Sequence, residues 1–249
     1  MKYNLKIGWL YPELMNIYGD RGNVIALQKR ASLRDIDTEV LFLNPGFENK
    51  MLKECDLLLM GGAQDQQQIS VAKDLEKRSV LLKQIILQGT PGLYICGAYQ
   101  FLGNYYKESN GNIIKGLGIF DLYTENPGEA NKRLIGNMAF KSSTLNYTLI
   151  GFENQGGRTY LGKSLKPFGK VVKGYGNNGK DGTEGVEFKN SFGTYSHGPI
   201  LPKNPVFTDH LLKLALEIKY KKKINLKDLD DDLEKKARMT IAKRLSIAI

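Results

Sequence analysis

Short apolar runs alternate with longer helical patterns over the first hundred residues. Strand patterns occur at Leu5–Leu10, Glu39–Leu43, Leu57–Met60 and Gly92–Ile95. The last two are typical of strands that are buried on both faces of a sheet. Helical patterns follow at residues 23–34, where Asn23 is the predicted N-cap, and at residues 69–88. Strand, helix, strand, helix in this order predicts a mainly parallel sheet with right-handed crossovers.

The composition changes after Phe101, where glycine, asparagine and tyrosine become frequent. Short alternating segments predict β-rich structure over Ile113–Tyr195, with Lys166–Gly185 as its most loop-like part. Two helices are then predicted, an amphipathic one at Pro205–Tyr220 and a charged one at Leu226–Leu245. We therefore predict an α/β fold, a mainly parallel sheet flanked by helices with additional β-rich segments. One domain would span residues 1–220, and a charged helical extension would span residues 221–249.

Composition and charge exclude several classes of protein. With 249 residues, 41% of them hydrophobic and 25% charged, the chain has the make-up of a globular protein. It shows neither an apolar run of about 18 residues nor a secretory signal, so a cytoplasmic location is expected. The net charge is +10, and residues 219–249 hold ten Lys/Arg against five Asp/Glu. Without interleaved aromatic residues, that run favours a solvated helix face over nucleic-acid binding.

One of the two cysteines stands where a nucleophile is expected. Cys55 and Cys96 form no CxxC pair, so neither a disulfide framework nor a zinc site is predicted. Cys96 follows the strand Gly92–Ile95 and precedes small residues at the start of a helix, the layout of a nucleophile elbow. A helix start lowers the pKa of a thiol and offers backbone N–H groups, such as that of Gly97, to an oxyanion. Burial as a small hydrophobe is the alternative for Cys96 and the prediction for Cys55.

The remaining chemistry is predicted on two other segments. The Gly61–Ala63 turn follows a buried strand and is a second candidate source of oxyanion donors, although a flexible turn is the alternative. The chain has two histidines. His197 lies at the end of a predicted strand and is the candidate base, whereas His210 lies within a helical pattern and is assigned to the surface or to packing.

Four segments together resemble the class I glutamine amidotransferases of the cobyric-acid-synthase type. They are Tyr11–Asn23, Gly61–Asp65, Cys96–Gln100 and Ser196–Pro199. The similarity runs from Lys6 to about Leu216 and is greatest to the glutaminase subunits of lipid II isoglutaminyl synthases. It implies that Cys96 forms a γ-glutamyl thioester with glutamine and that His197 serves as base and acid. It also implies an oxyanion hole at Gly62, Ala63 and Gly97 and a substrate contact at Gln100, with no metal. Arg133 is the candidate for binding the substrate carboxylate, because a planar guanidinium suits paired hydrogen bonds, and an ordinary surface arginine is the alternative. Gln155 is the candidate for the other wall of the substrate pocket.

The same resemblance implies a partner. Ammonia would pass to a Mur-ligase-like synthetase, in a heterodimer that amidates D-glutamate in the lipid II stem peptide. The chain has no GxxxxGK[ST] loop, so no cofactor is expected in it, and ATP and Mg²⁺ are expected in the partner. The complex would carry the chain to the inner membrane surface. The alternatives are a subunit serving another acceptor such as a corrinoid carboxylate, a stand-alone γ-glutamyl hydrolase, and a non-catalytic binding protein.

The chain departs from the family pattern at two positions. Ala63 stands where the family often has a third glycine. The methyl group of alanine is tolerated at this position only if the local φ is negative. Pro199 stands where many class I amidotransferases have the acidic residue that completes a Cys-His-Glu triad. Either a Cys-His dyad is sufficient, or a partner subunit supplies the carboxylate on assembly.

Overall fold

A computed structural model describes residues 2–63, 65–128 and 130–249, with the backbone alone for residues 65–69. Gln64 of the glycine-rich segment lies outside the described residues. In chain order, the strands are β1 (Asn4–Leu10), β2 (Asp37–Leu43), β3 (Leu57–Met60), β4 (Gly92–Ile95), β5 (Tyr105–Lys107), β6 (Ile113–Lys115), β7 (Leu122–Glu125), β8 (Leu134–Ser142), β9 (Tyr147–Gln155), β10 (Arg158–Leu161), β11 (Gly169–Lys173), β12 (Thr183–Glu184), β13 (Val186–Phe188) and β14 (Ser191–Thr194).

The helices alternate with the first strands as the sequence predicts. In chain order they are α1 (Arg21–Ser32), α2 (Asn49–Lys53), α3 (Asp65–Glu76), α4 (Ser79–Leu87), α5 (Gly97–Phe101), α6 (Ile200–Lys203), α7 (Pro205–Tyr220) and α8 (Asp232–Leu245), with a 3₁₀ turn at Ile17–Gly19. The prediction of an α/β fold with a mainly parallel sheet is confirmed.

The central sheet brings three strand ends to one edge. Its six strands lie in the order β13-β14-β4-β3-β1-β2, and all neighbours are parallel except β13 and β14. Met60 pairs with Tyr94, and Ile95 pairs with Thr194, so β3, β4 and β14 finish side by side. The segments that follow them therefore meet at the carboxyl edge, as in other open α/β sheets.

The helix predicted at residues 69–88 is in fact two helices, α3 and α4. Arg78 lies at the break with φ −107° and ψ 0°. Its guanidinium donates to Asp74 at 3.0 Å and to Asn49 at 2.7 Å, and it lies 3.8 Å from the centre of the Phe47 ring. Asn49 and Phe47 are distant in sequence, so a local pattern does not reveal the contacts that hold the break.

The predicted N-cap is also wrong. Helix α1 begins at Arg21, before Asn23, and the Asn23 side chain accepts a hydrogen bond from the N–H of Leu201 at 2.9 Å instead. Asn23 therefore joins α1 to α6 rather than capping a helix.

The β-rich part forms two further four-stranded sheets, β10-β7-β5-β6 and β12-β11-β8-β9. The loop predicted at Lys166–Gly185 contains β11 and β12, so that prediction is wrong for those strands. The Asn177 side chain donates to the carbonyl of Gly185 at 3.0 Å and accepts from its N–H at 2.8 Å. Side-chain hydrogen bonds thus hold together a segment whose composition resembles a loop.

The C-terminal segment is helical only from Asp232 onward, because residues 221–231 have no helical turns, contrary to the predicted start at Leu226. Arg238 of α8 is 4% exposed, donates to Asn204 at 2.6 Å and lies 4.2 Å from the centre of the Tyr147 ring. The segment thus packs against the rest of the chain, and the domain boundary at residue 220 stays a prediction. Within the described ranges, no helix is both long and apolar enough to cross a membrane.

Candidate active site

Cys96 occupies a strained turn between β4 and α5. Its backbone adopts φ 53° and ψ −107°, a left-handed region that costs a side-chain-bearing residue about 1–3 kcal/mol. The N–H of Cys96 donates to Thr194 at 2.9 Å, and its carbonyl accepts from the N–H of Gln100 at 3.0 Å. These bonds fix both sides of the turn, as in a nucleophile elbow.

His197 lies three residues beyond β14, in the crevice that also holds Cys96. Its N–H and carbonyl exchange hydrogen bonds with the backbone of Phe152 in β9, at 2.7 and 3.2 Å. The side chain is fully buried, and the ring of Tyr18 lies edge-on at 4.9 Å between centroids. The backbone thus fixes the position of the ring.

The charge of His197 depends on two neighbours. Burial by itself lowers the pKa of the imidazole, but the Cys96 thiolate and the Asp20 carboxylate outweigh it and raise the pKa to about 10. A protonated imidazole beside a thiolate is the resting state of an activated cysteine.

Asp20 lies beside His197, although its place in the Tyr11–Asn23 motif predicted no role for it. Its Oδ2 accepts the N–H of Gly62 at 2.7 Å, and its Oδ1 lies 3.8 Å from Nδ1 of His197. Both side chains are buried, with 2% and 0% of their surface exposed. The only signal in the sequence is a single acidic residue directly before a helix.

The predicted oxyanion segments lie at the same edge. Gly97 opens α5 directly after Cys96, and Ala63 lines the pocket with Cys96. The N–H of Gly62 donates to Asp20, so of the two residues of this turn in the predicted hole, Ala63 is the one that lines the pocket. Ala63 is not among the described residues with positive φ, so its methyl group is accommodated.

A pocket of about 270 Å³ opens beside Cys96. This volume lies just below the roughly 300–1,000 Å³ typical of pockets for drug-sized ligands, so it suits a single amino acid. It is lined by Ile17, Tyr18, Ala63, Cys96, Gln100, Tyr106, Arg133, Asn154, Gln155, Gly156 and Gly157. All three predicted substrate contacts, Gln100, Arg133 and Gln155, are therefore brought together around Cys96.

Each predicted substrate contact is held by a neighbour. Gln100 donates to the Tyr195 hydroxyl at 3.0 Å, and Gln155 donates to the Gly176 carbonyl at 3.0 Å. Arg133 donates through Nε to the Asn154 side chain at 2.9 Å. The pocket wall thus has defined side-chain positions before any substrate arrives.

Tyr18 and Asn154 also belong to the site, although the sequence analysis gave neither a role. Tyr18 has a φ of 54°, and its hydroxyl accepts a hydrogen bond from Asn154 Nδ2 at 2.6 Å. Asn154 therefore links the 3₁₀ turn to Arg133 across the pocket. Asn154 lies next to Gln155 in the sequence, but nothing in the local pattern distinguishes the two.

The residues predicted to be structural lie outside this site. Cys55 is buried just before β3, and burial raises the pKa of its thiol to about 12. His210 lies on α7, where its ring meets that of Phe192 edge-on at 5.8 Å and burial lowers its pKa.

Comparisons with known proteins identify the family of this chain. A family model described as "CobB/CobQ-like glutamine amidotransferase domain" matches residues 6–205. The chain is 42% identical to "Lipid II isoglutaminyl synthase (glutamine-hydrolyzing) subunit GatD" of Staphylococcus aureus (strain N315), over 97% of this chain and 96% of that protein. It is 39% identical to the Streptococcus pneumoniae (strain ATCC BAA-255 / R6) protein of the same name, over 93% of this chain and 88% of that protein.

A solved structure titled "Crystal structure of glutamine amidotransferase" superimposes with a TM-score of 0.56 at 13% identity, covering 84% of this chain and 98% of that chain. That likeness concerns the fold alone. On the extent of the family match and the two relatives, the chain belongs to the CobB/CobQ-like family of glutamine amidotransferases.

Proposed function

We propose that this chain is the glutaminase subunit of a lipid II isoglutaminyl synthase. The observation that carries the proposal is the strained Cys96 beside His197, in a pocket of amino-acid size with a guanidinium on its wall. The two relatives that share 42% and 39% identity bear that name, which supports the choice of reaction.

In the proposed reaction, the Cys96 thiolate attacks the side-chain carbonyl carbon of L-glutamine. The C–N bond breaks as His197 gives its proton to the departing nitrogen, which leaves as ammonia, and a γ-glutamyl thioester remains on Cys96. His197 then takes a proton from water, and the resulting attack releases glutamate and restores the thiolate. The sum is glutamine plus water to glutamate plus ammonia.

The negative charge on the carbonyl oxygen develops next to the start of α5. Gly97 follows the nucleophile directly, so its N–H is the donor that we assign first, with Ala63 completing the predicted hole. Gly62 contributes through its bond to Asp20, and a side chain there would meet Ile17 and the ring of His197.

The α-carboxylate and α-amino groups of glutamine would be held by the far wall of the pocket. Arg133 suits the carboxylate, because a planar guanidinium recognises it through paired hydrogen bonds. Gln100 and Gln155 are the proposed neutral contacts. Within the described part of the chain, the buried Oε1 of Gln155 has no hydrogen-bond partner, so it can accept a hydrogen bond from an ammonium group.

The proposed acceptor lies on a partner. A Mur-ligase-like synthetase subunit would bind ATP and Mg²⁺ and use the ammonia to amidate D-glutamate of the lipid II stem peptide, in a heterodimer at the inner membrane surface. If glutamine hydrolysis is coupled to amidation of an acceptor, no glutamine is wasted. This explains why such a chain would work as a subunit of a complex.

Glutamate release from L-glutamine tests the proposal. The chain would be measured alone and with the synthetase, and amidation of lipid II would be followed in the complex. We expect release that needs Cys96, is lost in Cys96→Ala, persists in Cys55→Ala and accompanies amidation. Release without any lipid II amidation would favour another acceptor or a stand-alone hydrolase, and an absence of release in the complex would favour a binding protein.

A further inference from the structure

We infer that Asp20 is the carboxylate that positions His197, so this chain supplies from its own N-terminal segment the acidic partner that Pro199 fails to provide. The inference rests on the proposed glutaminase function and deepens it. It adds an alternative to the dyad and to the partner-supplied carboxylate.

Two buried polar atoms face each other in this part of the site. Among the described residues, neither Oδ1 of Asp20 nor Nδ1 of His197 has a hydrogen-bond partner, and the two atoms lie 3.8 Å apart. A buried polar atom without a hydrogen bond costs about 1–3 kcal/mol. Two such atoms across a short gap indicate that Asp20 and His197 form a hydrogen bond when the imidazole is protonated. A small rotation of either side chain would form the bond.

The surroundings leave Asp20 little other freedom. The 3₁₀ turn positions it, because the Asp20 N–H donates to the carbonyl of Ile17 at 3.3 Å, and Ile17 in turn donates to Gly62 at 3.4 Å. A side chain on Gly61 would come within 2.6 Å of Oδ2 of Asp20. The glycine pair therefore serves to admit the carboxylate as well as to form a turn.

The charge of Asp20 has a defined consequence for the base. A carboxylate at Nδ1 favours a proton on that nitrogen, which leaves Nε2 to exchange a proton with Cys96. Among the residues that the structure describes, the ionisable groups that act on the pKa of His197 are Cys96 and Asp20, and the ring of Tyr18 packs against the imidazole. Asp20 is thus the group among them that can balance an imidazolium throughout the cycle.

The same carboxylate connects two catalytic segments. One oxygen faces the base and the other accepts from Gly62, so the base and the glycine-rich turn share one anchor. We therefore expect Asp20 to act on kcat, through the orientation and charge of His197, rather than on the binding of glutamine.

Asp20→Asn tests this, because the amide oxygen can still accept from Gly62 while its NH₂ group faces Nδ1 and forces the wrong tautomer. We expect kcat for glutamate release by the complex to fall by about 10²-fold with KM within about threefold. The alkylation rate of Cys96 should vary less than about threefold between pH 6 and 8.5 in the parent chain, and rise at least about tenfold over the same range in Asp20→Asn.

Asp74→Asn is the stability-matched control. It removes another largely buried carboxylate, which is bonded to Tyr11 and Arg78, and we expect it to keep the pH profile of the parent chain.

A second measurement needs no variant. With two histidines in the chain, ¹⁵N imidazole signals of the parent protein report His197 directly, with His210 as internal reference. We expect His197 to stay doubly protonated through pH 8.

Asp20→Asn with the parent pH profile and kcat, or a neutral His197 at pH 6.5 in the parent protein, would overturn the inference while leaving the glutaminase function intact. A parent complex that releases no glutamate would instead contradict the proposed function, and the histidine signals would still decide the role of Asp20.

Discussion

One cysteine lies at each end of the strands of the central parallel sheet. The two cysteines are equally buried but differ in backbone conformation and in the charges around them. Cys55 lies just before β3 at the amino edge, Cys96 lies just after β4 at the carboxyl edge, and each is 7% exposed. Burial raises the pKa of the Cys55 thiol to about 12, whereas Cys96 adopts a positive φ beside His197, whose pKa is raised to about 10 by Cys96 and Asp20. Burial therefore does not distinguish the proposed nucleophile, Cys96, from Cys55. The backbone turn and the neighbouring charges do.

The largest expected contrast between the edges is in thiol reactivity. At pH 7 a pKa of about 12 leaves roughly one Cys55 in 10⁵ as thiolate, so we expect iodoacetamide to label Cys96 at least about 10³-fold faster. Mass spectrometry of the labelled peptides measures both rates in one sample. His197→Ala should slow the labelling of Cys96 alone. Equal rates at the two cysteines would remove the distinction between the edges.

Sequence alone revealed the parts of this site that follow directly from strand ends. Cys96 and His197 each lie just beyond a recognisable strand, and parallel strands end at one edge, so the pattern along the chain was enough to bring them together. The strands β3 and β4 match their predicted bounds for the same reason, because a wholly buried strand leaves a short apolar run.

The parts that sequence missed depend on contacts between distant positions. Asp20 and His197 are 177 positions apart in the sequence, so no local hydrophobic period predicts that they lie close together. The break at Arg78 depends on Asn49, and the strands within residues 166–185 depend on the side-chain bonds of Asn177. Polar side chains that replace backbone hydrogen bonds are invisible to hydrophobic patterning.

Two glycine substitutions would separate packing from chemistry. A methyl group on Gly61 would come within 2.6 Å of the Asp20 carboxylate, and one on Gly8 would come within 2.5 Å of Sγ of Cys55. Overpacking should destabilise both Gly61→Ala and Gly8→Ala by about 1–3 kcal/mol. We expect kcat/KM for glutamate release to fall about 10²-fold in Gly61→Ala and to stay within about threefold in Gly8→Ala. Thermal unfolding and steady-state kinetics measure the two effects, and equal kinetic losses would contradict the division between the edges.

Arg133→Lys probes the wall that faces the carboxyl edge. Lysine keeps the positive charge but loses the planar pair of donors, so we expect KM for glutamine to rise about 30-fold, about 2 kcal/mol, with kcat within about threefold. Steady-state kinetics of the complex provides the measurement. Lys132→Ala changes the adjacent exposed side chain and should leave both constants unaltered. A fall in kcat at constant KM would place Arg133 in the chemical step instead of substrate recognition.

The smallest expected effect concerns a carboxyl group beneath the carboxyl edge. Glu184 is fully buried, accepts hydrogen bonds from Thr194 and the N–H of Tyr195, and has a pKa raised to about 7 by burial. Because its pKa is higher in the folded than in the unfolded chain, stability falls as pH rises from the unfolded value to the folded one. Its amino-edge counterpart is Glu54, which is exposed and has a pKa lowered by its hydrogen bond to Lys6, so its contribution is lost only in acid.

Glu184→Gln removes the ionisation and keeps the acceptor oxygen. We therefore expect its free energy of unfolding to gain about 2 kcal/mol relative to the parent chain between pH 5 and pH 7. Denaturant unfolding at a series of pH values measures this difference, and Glu54→Gln should run parallel to the parent over the same range. A parallel curve for Glu184→Gln would mean that the buried Glu184 carboxyl group contributes no pH dependence to stability over this range, which would contradict its raised pKa.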